Sequence, residues 1–138
     1  MGARSPRRRD ARPVKRKAIL VVDDDEDMCA ALDIVLSPHY RMTFAVDGVD
    51  GYLRANDLPG PDLIIADVAM PNLDGLAMVQ RIRDNHALGN LPVLFLTGQV
   101  SQAVVAERLG PSAGAFAYLR KPTDSGLLQK KVRSLLCT

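Results

Sequence analysis

Leu63-Ile64-Ile65-Ala66-Asp67, running on into Val68-Ala69-Met70-Pro71, is the stretch that decides the fold. Four apolar residues follow one another without alternation, meet a single carboxylate, and are stopped by a proline. An unbroken apolar run of strand length between turn residues suits a strand buried on both faces of a parallel sheet. Asp67 then stands at the C-terminal end of that strand, where open α/β sheets place their ligands. An isolated Asp in such a position reads first as a turn cap, so its meaning depends on the rest of the chain.

Three further apolar runs have the same shape. Ala18–Val22 ends in Asp23-Asp24-Asp25-Glu26-Asp27, Pro92–Leu96 ends in Thr97-Gly98, and Ala115–Leu119 ends in Arg120-Lys121-Pro122. Arg41–Ala45 is shorter and alternating, with Met42 and Phe44 set against Arg41 and Thr43. Between these runs the apolar spacing becomes helical. Met28, Leu32, Val35 and Leu36 predict a helix over Glu26–Leu36, with acid in its first turn at the positive end of the helix dipole. Further helices are expected over Gly48–Ala55, from Gly75 to Asp84 (Leu76, Val79 and Ile82 inward), over Ser101–Leu109, and over Thr123–Leu136. The last has Leu127, Leu128, Val132, Leu135 and Leu136 inward. Ser37-Pro38, Pro59-Gly60-Pro61, Gly89-Asn90 and Gly110-Pro111 punctuate the series. Five strands alternating with five helices predict an α/β, doubly wound parallel sheet with right-handed crossovers.

Length and charge bound the rest. A chain of 138 residues fits one domain with a real core. No apolar run reaches the roughly 20 residues that span a bilayer, so no membrane association by insertion is expected. Cys29 and Cys137 do not pattern as a disulfide framework or metal site, which points to a reducing, cytoplasmic compartment. Residues 1–17 hold eight Lys/Arg against Asp10 alone, a net +7, whereas residues 18–138 hold ten against fifteen acids, a net −5. The division expected is a disordered basic arm, 1–17, and one folded domain, 18–138. Such an arm suits nucleic acid, an anionic membrane surface or an acidic partner.

In a parallel sheet the strand ends lie along one edge, so Asp23, Asp24, Asp67, Thr97 and Lys121 converge from across the chain. Three packed carboxylates repel unless some protonate or a cation neutralises them. Oxygen-only ligands select a hard divalent ion, and Mg²⁺ is the usual choice where phosphate is handled. Lys121 adds a positive charge suited to a phosphoryl oxygen, and Thr97 a hydroxyl donor. The chemistry favoured is attack of a carboxylate on phosphorus to give an acyl phosphate.

Val21-Val22-Asp23-Asp24, Asp67-Val68-Ala69-Met70-Pro71-Asn72-Leu73-Asp74-Gly75, Leu96-Thr97-Gly98 and Lys121-Pro122 together resemble the motif series of the response-regulator receiver domain. The resemblance covers roughly residues 17–137, in order. It implies a flavodoxin-like sheet of order 2-1-3-4-5. It implies that Asp67 is the phospho-acceptor, served by a histidine kinase or phosphotransfer protein. Asp23, Asp24, Asp67 and the backbone carbonyl of Ala69 would hold Mg²⁺, with Lys121 pairing to the phosphoryl oxygens. Thr97 and Tyr118 would be the switch residues, acting on a downstream partner, or a homodimer, through the fourth helix, last strand and last helix. The protein is then no enzyme beyond its own phosphorylation and autodephosphorylation, and a stand-alone regulator with no output domain after Cys137-Thr138.

The chain departs from that family's pattern in a strongly acidic Asp25-Glu26-Asp27, in Gly98, in Thr123 after Lys-Pro, and in a longer Leu109–Ala115 segment. Ala69 and Gln99 occupy positions that tune phosphate lifetime in such domains. His39 and His86 lack partners at ligand spacing and read as surface residues. Gly75 reads as a turn and helix-start requirement. Two other functions fit less of the sequence: a Mg²⁺-dependent aspartyl-phosphate phosphatase, for which no cap domain is evident, and a phosphorylation-independent adaptor that binds nucleic acid through the arm.

Overall fold

The computed structural model describes residues 16–57, 59–85, 88–110 and 116–137. The expected disorder of the arm therefore falls, but for Arg16 and Lys17, outside the described residues, as do His86 and most of the Leu109–Ala115 segment. The elements run β1 (Ala18–Val22), α1 (Glu26–Leu36), β2 (Arg41–Ala45), α2 (Gly48–Ala55), β3 (Leu63–Ala66), α3 (Gly75–Asp84), β4 (Val93–Thr97), α4 (Gln102–Leu109), β5 (Phe116–Arg120) and α5 (Ser125–Leu136). All four strand pairings are parallel, in the order β2-β1-β3-β4-β5. That is the doubly wound, flavodoxin-like topology. Among the described residues no helix is long and apolar enough to cross a membrane.

The unalternating strands are explained by two cores. Leu20, Val22, Ile64, Ala66, Val93 and Phe95 pack on the α2–α3–α4 face with Leu76, Val79, Ile82 and Val105. Ile19, Val21, Leu63, Ile65, Leu94 and Leu96 point the other way, onto Leu32 and Leu36 of α1 and Leu128 and Val132 of α5. Successive side chains of a strand face opposite sides, so only a strand covered on both faces is apolar throughout. β2, at the sheet edge, alternates between exposed and half-buried residues, as its sequence does. Phe95, fully buried, meets Phe116 edge-to-face at 5.8 Å.

Four helix starts are capped by aspartates and one by serine: Asp25, Asp47, Asp74 and Asp124, and Ser101 for α4. Each side chain accepts backbone N–H groups that the first turn leaves unpaired. β5 ends one residue later than the sequence pattern suggests, at Arg120, and α5 begins two residues later, after its Asp124 cap. One inward assignment is corrected. Leu127 is 47% exposed, because α5 buries the side carrying Leu128 and Val132, and one residue along a helix is a turn of about 100°.

Candidate functional site

Register builds the site. Val22 pairs with Ala66, so the next residues, Asp23 and Asp67, emerge side by side, and Asp67 N–H donates to the Val22 carbonyl at 3.0 Å. Thr97 pairs with Arg120, and Lys121 N–H donates to the Thr97 carbonyl at 3.1 Å. Asp23, Asp67 and Lys121 also share the strand parity of Val21, Ile65 and Leu119, all of which face α1 and α5. Three residues spread over 98 positions thus project into one volume.

There Lys121 Nζ donates to Asp23 Oδ2 at 2.8 Å and to Asp67 Oδ2 at 3.1 Å. Ligand oxygens of Asp23, Asp24 and Asp67 lie within 4.8 Å of one another. Asp23 is buried, Asp67 half-buried and Asp24 exposed, so the cluster opens to solvent on the Asp24 side. The backbone aims the carboxylates: Val68 N–H donates to Asp67 Oδ1 at 2.7 Å and Asp25 N–H to Asp23 Oδ1 at 2.9 Å. Ala69 is exposed on the loop two residues past Asp67.

The electrostatics are those of a cation-deficient site. Burial is the largest influence on Asp23 and pushes its carboxyl above the usual range, against the pull of Lys121 and the Asp25 N–H. Burial also works against the charged form of Lys121. Hydrogen bonds and attraction from Asp23 and Asp67 outweigh it and hold the ammonium above the ordinary lysine value. One ammonium faces three carboxylates. The donors are all oxygen and closely spaced, which fits a hard divalent ion such as Mg²⁺ and not a soft one.

Thr97 and Tyr118 stand apart from these contacts. Thr97 is fully buried, its hydroxyl 3.5 Å from Gln99 N–H. The half-buried Tyr118 packs on the α2–α3–α4 core and donates its hydroxyl to the Val100 carbonyl at 2.6 Å. His39 is exposed, as expected of a surface residue.

The loop after Asp67 is held by contacts that spacing does not reveal. Gly75 N–H donates to the Val68 carbonyl at 2.9 Å. A Cβ on Gly75 would lie 2.1 Å from the Asp67 carbonyl oxygen, so glycine is needed here for close approach and not only to start a helix. Asn72, at φ 68°, donates its amide to Asp47 Oδ2 at 2.7 Å, tying the loop to the α2 cap. Arg108 of α4 reaches Asp74 Oδ2 at 3.1 Å.

Residues 19–133 match the response regulator receiver domain. The chain belongs to that family. Receiver domains bind Mg²⁺ at an acidic pocket, and here Asp23, Asp24 and Asp67 form an acidic cluster. Among its curated relatives is the DNA-binding dual master transcriptional regulator RpaA of Synechocystis sp., 37% identical over 121 residues, which are 86% of this chain and 48% of that protein. Response regulator PleD of Caulobacter vibrioides is 35% identical over 120 residues, 85% of this chain and 25% of that protein. The receiver thus spans about half or less of the length of the relatives it matches. Among solved structures, a putative response regulator from Chloroflexus aurantiacus superposes with a TM-score of 0.79 at 32% identity. That match covers 90% of this receiver and 100% of the other chain. Chemotaxis protein CheY4 of Vibrio cholerae gives 0.77 at 28%, covering 88% and 99%.

Proposed function

We propose that this receiver accepts a phosphoryl group on Asp67 from a phosphohistidine of a histidine kinase or phosphotransfer protein. The observation that carries the reading is the bridge of Lys121 Nζ between Asp23 Oδ2 and Asp67 Oδ2, set beside three mutually close carboxylates.

The steps follow from what each group can do. Val68 N–H holds one Asp67 oxygen and fixes the plane of the carboxylate. An Asp67 oxygen attacks phosphorus. The new O–P bond forms as the donor's P–N bond breaks, and the imidazole nitrogen leaves with the electron pair and takes up a proton. Lys121 exchanges its Asp67 contact for a phosphoryl oxygen and offsets the charge that builds there. Asp23, Asp24, Asp67 and the Ala69 carbonyl would hold a Mg²⁺ ion, which would supply charge neutralisation at the phosphoryl oxygens. Attack of water on phosphorus reverses the state, returning the Asp67 carboxylate and inorganic phosphate.

Phosphorylation places about −2 of phosphate charge at the edge of the sheet. Thr97, at the end of β4, then donates its hydroxyl to the phosphoryl group, and Tyr118 follows by releasing Val100. The α4–β5–α5 surface changes with them and carries the signal to a downstream protein or a second copy. The domain acts in the cytoplasm as a switch, catalysing only its own phosphorylation and dephosphorylation.

Reductive trapping tests the assignment. After incubation with Mg²⁺ and a small phosphodonor, borohydride reduces an aspartyl phosphate to homoserine, and peptide mapping should find it at position 67. Homoserine at Asp23 or Asp24 instead would refute the choice of acceptor.

A further inference from the structure

α4 is lightly seated on the sheet. Only Val105 and Leu109 of this helix are buried, and Val104 and Arg108 are exposed. Two polar ties at its last turn fasten it to α3. Gln80 Nε2 donates to the Arg108 carbonyl at 3.1 Å, and Arg108 Nη2 donates to Asp74 Oδ2 at 3.1 Å. A helical side chain leans toward the N-terminus of its own helix. The guanidinium therefore runs back along α3 from the level of Gln80 to the Asp74 cap, about 9 Å of helix rise. Among the described residues this is the one ion pair that joins two helices.

Asp74 is in turn built into the acceptor loop. Its other oxygen, Oδ1, accepts Ala77 N–H as the α3 cap. The next residue, Gly75, donates its N–H to the Val68 carbonyl at 2.9 Å, and Val68 N–H donates to Asp67 Oδ1 at 2.7 Å. Gly75 also lies too close to the Asp67 carbonyl for even a methyl group to fit between them. A close-packed contact of this kind passes a displacement on and does not absorb it. Arg108 thus stands at one end of a continuous path, through Asp74, Gly75 and Val68, whose other end fixes the plane of the Asp67 carboxylate.

We infer that Arg108 is a positioning residue for phosphoryl transfer, an inference that rests on Asp67 being the acceptor. Acting through Asp74, it holds the loop that aims the attacking oxygen. It does so in the unphosphorylated protein, whereas Thr97 and Tyr118 respond only once phosphate is in place. The pair is partly open to water, with 47% and 31% of the two side chains exposed, so its effect is modest and depends on salt.

The test compares wild type with Arg108→Ala, Arg108→Lys, Asp74→Asn and the double variant Arg108→Ala/Asp74→Asn. Asparagine keeps an oxygen for the α3 cap and gives up the charge. The rate of mass gain with acetyl phosphate and Mg²⁺ should fall about 2- to 5-fold in Arg108→Ala, the range an exposed ion pair supplies. It should recover in Arg108→Lys, because a single contact is within reach of an ammonium. Asp74→Asn should lose a similar factor and the double variant no more, since the two side chains act as one contact. The gap between wild type and Arg108→Ala should narrow in about 1 M salt. A second readout needs no phosphate: amide hydrogen exchange at Val68 and Gly75 should quicken in Arg108→Ala and return toward wild type in Arg108→Lys. A wild-type rate in Arg108→Ala, no recovery in Arg108→Lys, or losses that multiply in the double variant would overturn the inference. A wild type that gains no phosphate would refute the acceptor itself, and the exchange measurement would then decide the tie alone, with amides no faster in Arg108→Ala overturning it.

Discussion

Gly75 lies so close to Asp67 that a methyl group on its α-carbon would stand 2.1 Å from the Asp67 carbonyl oxygen and 3.0 Å from its carbonyl carbon. The neighbour is backbone and cannot swing aside. Gly75→Ala must therefore shift the loop that carries the acceptor. A destabilisation of about 1–3 kcal/mol is expected from such overpacking, read from urea midpoints. Phosphorylation should fall more than stability does. An unchanged midpoint and phosphorylation rate would show that the loop has room to relax.

Asp47 is hydrogen-bonded by Asp50 N–H at 2.8 Å and by the Asn72 amide, and these bonds, the backbone one first, hold its carboxyl below the usual range. A depressed folded-state pKa contributes stability above the unfolded value, here 3.8, and loses it as pH falls through the folded value. Asp47→Ala should therefore lower the urea midpoint at pH 7, with the gap from wild type closing only below about pH 4. A gap that closes between pH 7 and 5 would contradict the assigned cap.

Cys29 sits behind the acidic cluster, its thiol 3.5 Å from the Asp23 carbonyl, and burial followed by the charges of Asp23 and Asp25 pushes its pKa up to about 11. At pH 8 only roughly a thousandth of it is thiolate, the reactive form. Cys137 is exposed. Thiol titration with a chromogenic disulfide should show one fast group, lost in Cys137→Ala and retained in Cys29→Ala. Two equally fast groups would contradict the raised pKa of the half-buried Cys29.

Adjacent leucines on α5 should behave differently. Leu128 is 3% exposed and Leu127 is 47% exposed. Leu128→Ala is expected to cost about 2–5 kcal/mol, and Leu127→Ala no more than about 0.5 kcal/mol. Equal losses would mean that α5 is rotated from its described orientation.

Those two leucines also mark where the sequence stops being legible. The central strands were readable because Ala18–Val22, Leu63–Ala66 and Val93–Thr97 are buried on both faces, which leaves an unalternating run that few other environments produce. The strand ends were readable because Asp23, Asp67, Thr97 and Lys121 each terminate such a run, and a parallel sheet collects those ends on one edge. Which leucine of α5 faces inward was not, since both fit a helical stripe and only the angle at which the helix docks separates them. Gly75 was legible as a glycine but not as a close approach to Asp67, because the strand end and the helix start are brought together only in three dimensions. The ties from Asn72 to Asp47 and from Arg108 to Asp74 join residues 25 and 34 positions apart. Neither pair follows a helix or strand period, so nothing in the spacing announces them.

The most direct measurement is the intact mass of the protein after incubation with Mg²⁺ and a small phosphodonor, wild type beside Asp67→Asn. The wild type should gain one phosphoryl group, a gain lost when the metal is chelated and absent from the variant. A wild type that stays unmodified while folded, with a cognate kinase also failing, or a variant that gains the same mass, would contradict phosphorylation at Asp67.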